Sequence, residues 1–187
     1  MSPPYYVGID VGTTGAKVIL VDVGGYVVMQ HVEEYPLYTP RLGWTEQEPE
    51  DWWIAVKKAL SAFWASGIKP DDVEGIGLTG QMHGLVVVDS HLKPLRRAIL
   101  WNDQRTGPQA KEIVERLGLH KIISLTGNYP YTGFTAPKLL WLKENEQSVY
   151  SRVSKFMLPK DYIGLKLTGK VLTDVNDASG TSLFDVS

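Results

Sequence analysis

The sequence of 187 residues contains no cysteine. That excludes disulfides, thiolate metal sites and a cysteine nucleophile, and with them a small secreted scaffold held together by cross-links. No apolar run reaches the roughly 18 residues that a membrane-crossing helix requires. The N-terminus also lacks the charged stretch followed by an apolar stretch that directs secretion. Charge of either sign is not in excess: the formal net charge is −2, which provides no electrostatic basis for nucleic acid or an anionic membrane as a partner. There is no internal repeat, low-complexity tract or evident interdomain linker. What remains is an ordinary soluble composition, 43% hydrophobic and 21% charged, whose length predicts one domain with a respectable core. A cytoplasmic protein is expected.

The most informative segment is Val7-Gly8-Ile9-Asp10-Val11-Gly12-Thr13-Thr14-Gly15-Ala16-Lys17. An apolar strand ends on a carboxylate, a glycine turn carries hydroxyls, and a second apolar run, Val18 to Val21, follows. Asp10 is a hard oxygen ligand for a divalent cation, while Thr13, Thr14 and Lys17 supply donors and positive charge for an anion. Gly12 allows backbone to approach a ligand closely. A polyphosphate with Mg²⁺ needs this combination; an ordinary hairpin with a glycine turn explains the segment about equally well when it is taken alone. The spacing matches neither the P-loop nor the dinucleotide fingerprint. Gly24-Gly25 and a further β-rich run from Tyr26 to Val32 complete a three-stranded meander. This opening resembles the superfamily of sugar kinases and actin, which holds nucleotide phosphates in its first hairpin.

Helical and strand signals then alternate. Pro49, Glu50 and Asp51 mark a helix start, and Trp53, Val56, Leu60 and Phe63 form an apolar face ending before Gly67. The tryptophans there (Trp52, Trp53, Trp64) read as core and not as a stacking platform. Val73 to Thr79 reads as a buried strand, and Leu85 to Val88 as another. Pro108 opens a helix with Ile113, Val114 and Leu117 inward and Gly118 as its stop. Pro137 opens the next, and Leu158 to Leu167, closed by Gly169, the last. This order indicates an α/β domain: a mixed sheet, antiparallel meander followed by parallel strands, flanked by helices.

Further segments carry candidate chemistry. Gly80-Gln81-Met82-His83-Gly84 follows a strand, where open α/β sheets place ligands, and its amide and imidazole suit sugar hydroxyls. A satisfied structural histidine is the competing reading, and no neighbouring His or carboxylate has metal-ligand spacing. This turn is read as lying at a different strand end from the Asp10 hairpin. In Trp101-Asn102-Asp103-Gln104-Arg105-Thr106, Asn102 and Asp103 could reach a hydroxylated ligand, although capping and an Asp–Arg pair explain them almost as well. Gly133-Phe134-Thr135-Ala136-Pro137-Lys138 either lines a pocket or caps a helix. Thr173 to Thr181 is rich in turn formers and alone reads as a loop.

Taken in order, I-D-x-G-T-T-G-x-K, G-Q-M-H-G, L-W-N-D-x-R, G-F-T-A-P-K-L-L-W, L-P-K-D-Y and D-A-S-G-T strongly resemble the FGGY carbohydrate kinases, from Tyr6 to Asp185. Met82-His83 is most like the xylulokinase branch, since glycerol kinases carry an arginine and an acid there. The resemblance implies an actin-like ATPase, or ribonuclease H-like, fold and transfer of the ATP γ-phosphate to a hydroxyl of D-xylulose. By that resemblance Asp10 orients Mg²⁺ through water and Gly12, Thr13, Thr14 and Lys17 hold the ATP phosphates. Met82 and His83 hold the sugar, with Gln81, Asn102 and Asp103 as weaker candidates.

Family members are longer, with two actin-like domains and a catalytic aspartate in a Gly-Gly-Gly-Asp-Asn-type segment that this sequence does not contain. The expectation is therefore an incomplete N-terminal domain over residues 1–187, from an engineered or truncated reading frame and inactive by itself. The intact enzyme could pair as a homodimer. The alternatives are an FGGY kinase for another ketose or polyol, or a non-catalytic sugar- or phosphate-binding module.

Overall fold

A computed structural model describes residues 4–187. In chain order the elements are β1 (Tyr5–Val11), β2 (Gly15–Asp22), β3 (Val27–Glu34), β4 (Glu46–Gln47), α1 (Pro49–Ala65), β5 (Val73–Gly80), β6 (Val86–Val88) and β7 (Ala98–Ile99). There follow α2 (Gly107–Leu117), α3 (Leu119–Thr126), α4 (Thr135–Asn145), α5 (Gln147–Tyr150), β8 (Lys155–Met157), α6 (Pro159–Thr168) and α7 (Val175–Ser179). The chain divides into two compact units interleaved in sequence. One comprises the residues up to Leu37 together with Glu50–Gln81; the other comprises Tyr38–Pro49 and Met82–Ser187.

The first unit is built on a four-stranded sheet in the order β3-β2-β1-β5, antiparallel through the meander and parallel between β1 and β5. Strand periodicity of two sorts its residues. Val7, Ile9 and Val11 of β1 and Ala16, Val18 and Leu20 of β2 are buried, while Asp10 and Lys17 are exposed. Asp10 is paired in register with Lys17 on one side and Thr79 on the other.

The buried stripe of α1 is Trp52, Ala55, Val56, Ala59 and Phe63. It lies slightly to one side of the stripe expected from the large apolar residues, with Trp53 and Leu60 only half-buried. The difference arises because Ala55 and Ala59, too small to signal in a count of bulky residues, occupy its centre. The expectation of a buried strand at Val73 to Thr79 is corrected for the described residues: among them β5 pairs only with β1, and none of its residues is buried. Its alternation of glycine with apolar residues had resembled a core strand.

In the second unit β4 pairs with β7 and β6 with β8, both antiparallel, as two-stranded ribbons. Leu85, Val87, Ile99, Trp141 and Leu142 form an apolar cluster, with Trp44, Leu95 and Leu139 packed against it. The Thr173–Thr181 segment is not wholly loop. Asp174 accepts hydrogen bonds from the N–H groups of Asn176 and Asp177 and so caps α7. Gly118, at φ 79°, ends α2 and leads directly into α3, a helix that the sequence did not suggest. Leu117, expected inward, is 54% exposed.

Phe63 is fully buried, and truncating it removes buried apolar volume. Phe63→Ala is expected to destabilise the protein by about 3–5 kcal/mol, measured by urea denaturation with an unchanged m-value.

Candidate active site

The predicted residues fall into two sets, one in each unit. In the first, the β1–β2 turn is closed by a hydrogen bond from the Gly12 N–H to the Gly15 carbonyl, 3.1 Å. A side chain at Gly15 would lie 2.7 Å from the Glu33 carbonyl, so the tight crossing to β3 requires glycine. The Gly12 carbonyl accepts the Tyr35 hydroxyl at 2.5 Å and the Gln81 amide at 3.2 Å. Burial, with a contribution from the Asp10 charge, holds the Tyr35 phenol well above its usual range, so it remains a donor. Asp10, Thr14 and Lys17 stay exposed, and Asp10 and Lys17 line a concavity of about 460 Å³ on the outer face of the sheet. Among the described residues no group of His, Cys, Asp and Glu forms a metal-binding cluster. An exposed carboxylate beside hydroxyls and an ammonium fits a Mg²⁺ held by one protein carboxylate, with water and phosphate completing its shell.

Two expectations change here. Gln81, read as a sugar ligand, is buried against this turn: its N–H donates to the Val11 carbonyl at 2.8 Å and its Oε1 accepts from the Thr13 hydroxyl at 3.4 Å. The Gly80 end of β5 is also not at a separate strand end. In the parallel pair Val11 faces Gly80, so β1 and β5 finish side by side.

In the second unit, His83 is the centre of a tight turn, with φ at 61° and a 2.7 Å hydrogen bond from the Gly84 N–H to the Met82 carbonyl. Such a turn is strained for any residue but glycine and persists only where its surroundings determine it. The His83 ring stacks on Phe134 with centroids 4.2 Å apart and planes 15° apart. Its Nδ1 lies 2.8 Å from the Gly180 carbonyl. A carbonyl can only accept, so Nδ1 carries the proton and Nε2 is left as an acceptor. Burial lowers the pKa of His83 and the nearby Lys138 charge adds to this, with the Gly180 bond opposing, so the ring is neutral near pH 7. Gly180 must lack a side chain because a Cβ there would lie 2.7 Å from His83 Cε1. Met82 is 48% exposed.

Asn102 and Asp103 are not equivalent. Asn102 is half-buried and accepts the Thr45 hydroxyl at 2.7 Å. Asp103, expected to reach the ligand, is corrected to a structural role: it is fully buried and both its oxygens are engaged. They accept from Arg105 Nε at 2.9 Å, Arg105 Nη2 at 2.8 Å and the Thr45 N–H at 2.7 Å. The Arg105 guanidinium lies over the Trp44 ring at 3.7 Å and also meets Glu46 at 2.8 Å. The competing Asp–Arg reading of this segment is the one the geometry favours.

The sequence did not single out Phe134, Lys138 or Gly180 as determinants of the His83 geometry. Their signal was the glycine punctuation of otherwise loop-like segments. The Lys160 ammonium ties α6 to α7 through Asp161 at 2.6 Å, Asp174 at 2.8 Å and Asp177 at 2.9 Å. Burial alone would lower its pKa, but the carboxylates outweigh that and hold it above the usual lysine range.

The N-terminal domain model of the FGGY family of carbohydrate kinases matches residues 5–187. The chain belongs to that family. Among its relatives is a xylulose kinase of Staphylococcus xylosus, 46% identical over 97% of this chain, of whose length the chain spans 38%. Among solved structures, a xyloylose kinase from Brucella ovis aligns with a TM-score of 0.91 and 40% identity, over 97% of this chain and 37% of that one. A gluconate kinase from Lactobacillus acidophilus aligns with the same TM-score at 31% identity, over 99% of this chain and 37% of that one. The fold is therefore shared across substrates.

Burial pushes the Lys138 ammonium down to about 7, with Arg105 adding to it and Asp103 opposing, against an ordinary value of 10.5. Between those values the unfolded chain binds one proton more than the native state, so stability rises with pH. The contribution is complete above 10.5 and is lost as pH falls to about 7. The melting temperature is expected to rise between pH 7 and 10 relative to that of Lys138→Met, in a paired series of thermal melts.

Proposed function

We propose that this chain is the N-terminal part of a kinase that transfers the γ-phosphate of ATP to a hydroxyl of D-xylulose. The observation that carries the reading is the Asp10 hairpin: an exposed carboxylate at a strand end beside Thr13, Thr14 and Lys17, on a turn whose carbonyl is tied back by Tyr35 and Gln81. In the reaction, a sugar hydroxyl oxygen forms a bond to the γ-phosphorus as the bond to the β,γ-bridging oxygen breaks, and ADP leaves. Catalysis of this kind is mainly positioning and charge stabilisation. Bound Mg²⁺ would supply neutralising charge on the phosphate oxygens. Asp10 would orient it, and Gly12, Thr13, Thr14 and Lys17 would hold phosphate oxygens.

Met82 and His83 would hold the sugar, His83 accepting a hydrogen bond from a sugar hydroxyl at Nε2, with Asn102 at the margin. The hydroxyl's proton passes to a base outside this set of residues. Likeness to xylulose kinases supports a ketopentose substrate. The equal structural likeness of a gluconate kinase favours, as a second reading, another sugar at the same site. The incomplete-domain assignment over residues 1–187, a homodimeric assembly and a cytoplasmic location belong to this proposal.

In the full-length protein, Asp10→Asn is expected to lower kcat by about 100-fold or more, as for other lost electrostatic stabilisers, with little change in KM for the sugar. Wild-type kcat in that variant would reduce Asp10 to a turn residue. His83→Ala is expected to lower kcat/KM for D-xylulose by about ten- to hundredfold, leaving KM for ATP nearly unchanged. Steady-state kinetics with D-xylulose and with gluconate separate the two substrate readings.

A further inference from the structure

Lys138 is fully buried, a rare placement for an ammonium, which loses its hydration there. Among the described residues no carboxylate pairs with it. Its Nζ donates instead to two backbone carbonyls, that of His83 at 2.8 Å and that of Gly133 at 2.5 Å. The first carbonyl belongs to the strained turn itself. The second belongs to the residue immediately before Phe134, the ring on which His83 stacks. The Thr135 hydroxyl donates to the His83 carbonyl as well, at 3.2 Å. An apolar side chain of the same length would fill this space without the cost of burying a charge, but it would leave the Gly133 carbonyl unpaired and the His83 carbonyl with the Thr135 hydroxyl as its side-chain donor, loosening the turn.

We infer that Lys138 is a positioning residue for the sugar site, its Nζ joining the backbone beneath the His83 imidazole to the backbone beneath Phe134 so that ring and platform keep a fixed geometry. The inference rests on the proposal that His83 contacts the sugar. Lys138 touches no reacting atom in this scheme and acts through His83. Two of the donors that determine the turn's conformation come from one short stretch of chain, so the placement of His83 depends on the start of α4. Gly133 reinforces this arrangement, since a Cβ there would lie 2.4 Å from the Trp101 carbonyl and displace the loop that carries Phe134.

The test uses full-length protein carrying Lys138→Met, Thr135→Val or His83→Ala, with KM for sugar and for ATP measured separately on folded material. Lys138→Met is expected to raise KM for the sugar by about tenfold, and Thr135→Val by about two- to fivefold, with KM for ATP unchanged in both. Thr135→Val keeps shape and removes only one donor, so it carries the test if Lys138→Met does not fold. Unchanged sugar KM in the positioning variants, while His83→Ala impairs sugar use, would overturn the inference alone. Unchanged sugar kinetics in all three would overturn the sugar assignment of His83, and the inference with it. Equal losses toward sugar and ATP would assign Lys138 to general stability and also overturn the inference.

Discussion

Everything in the first unit depends on β1 being hydrogen-bonded on both sides, antiparallel to β2 and parallel to β5. A strand held on both edges cannot slip by one residue without exchanging its buried and exposed faces. Val7, Ile9 and Val11 therefore fix Asp10 on the outer face as surely as they fix themselves inside. The same ladder brings Gly80 beside Val11, which delivers Gln81 to the Gly12 carbonyl. A main-chain constraint thus places the carboxylate and a side chain distant in sequence, and the chemistry of the turn is built on that placement.

The second unit is organised by polar groups inside it. Asp103, Arg105 and Glu46 form a charged set with the guanidinium lying over Trp44, and Lys160 gathers three carboxylates between two helices. Removing one partner from such a set leaves an uncompensated charge, so these contacts specify an arrangement more than they add to stability. The His83 turn adopts its strained backbone within that framework, with Lys138 and Thr135 on its carbonyl and Gly180 against its ring.

Much of this was legible in the sequence. The meander, the glycine turn at Asp10, the helix from Pro49 and the helix closed by Gly169 each carry local signals: alternation, proline at a start, glycine at an end. The family was legible in the order of its motifs. What was not legible depends on long-range pairing. Gln81 and His83 are separated by a single residue, yet one is tied to Gly12 and the other to Gly180. Asp103 resembled a ligand because a carboxylate beside an asparagine has the same composition whether it faces solvent or an arginine. The burial of Lys138 has no local signature, since an amphipathic pattern treats lysine as an outward residue.

The proton on His83 Nδ1 gives the ring a direction. With that hydrogen committed to the Gly180 carbonyl, Nε2 offers a lone pair and nothing else. An alcohol can rotate its hydrogen toward that lone pair. A ketone or carboxylate oxygen brought to the same point has no hydrogen to turn, and would set electron pair against electron pair. On the proposed reading that His83 meets the sugar, the ring would filter by oxidation level, admitting an alcohol carbon at that position and repelling its oxidised counterpart before size or shape is consulted.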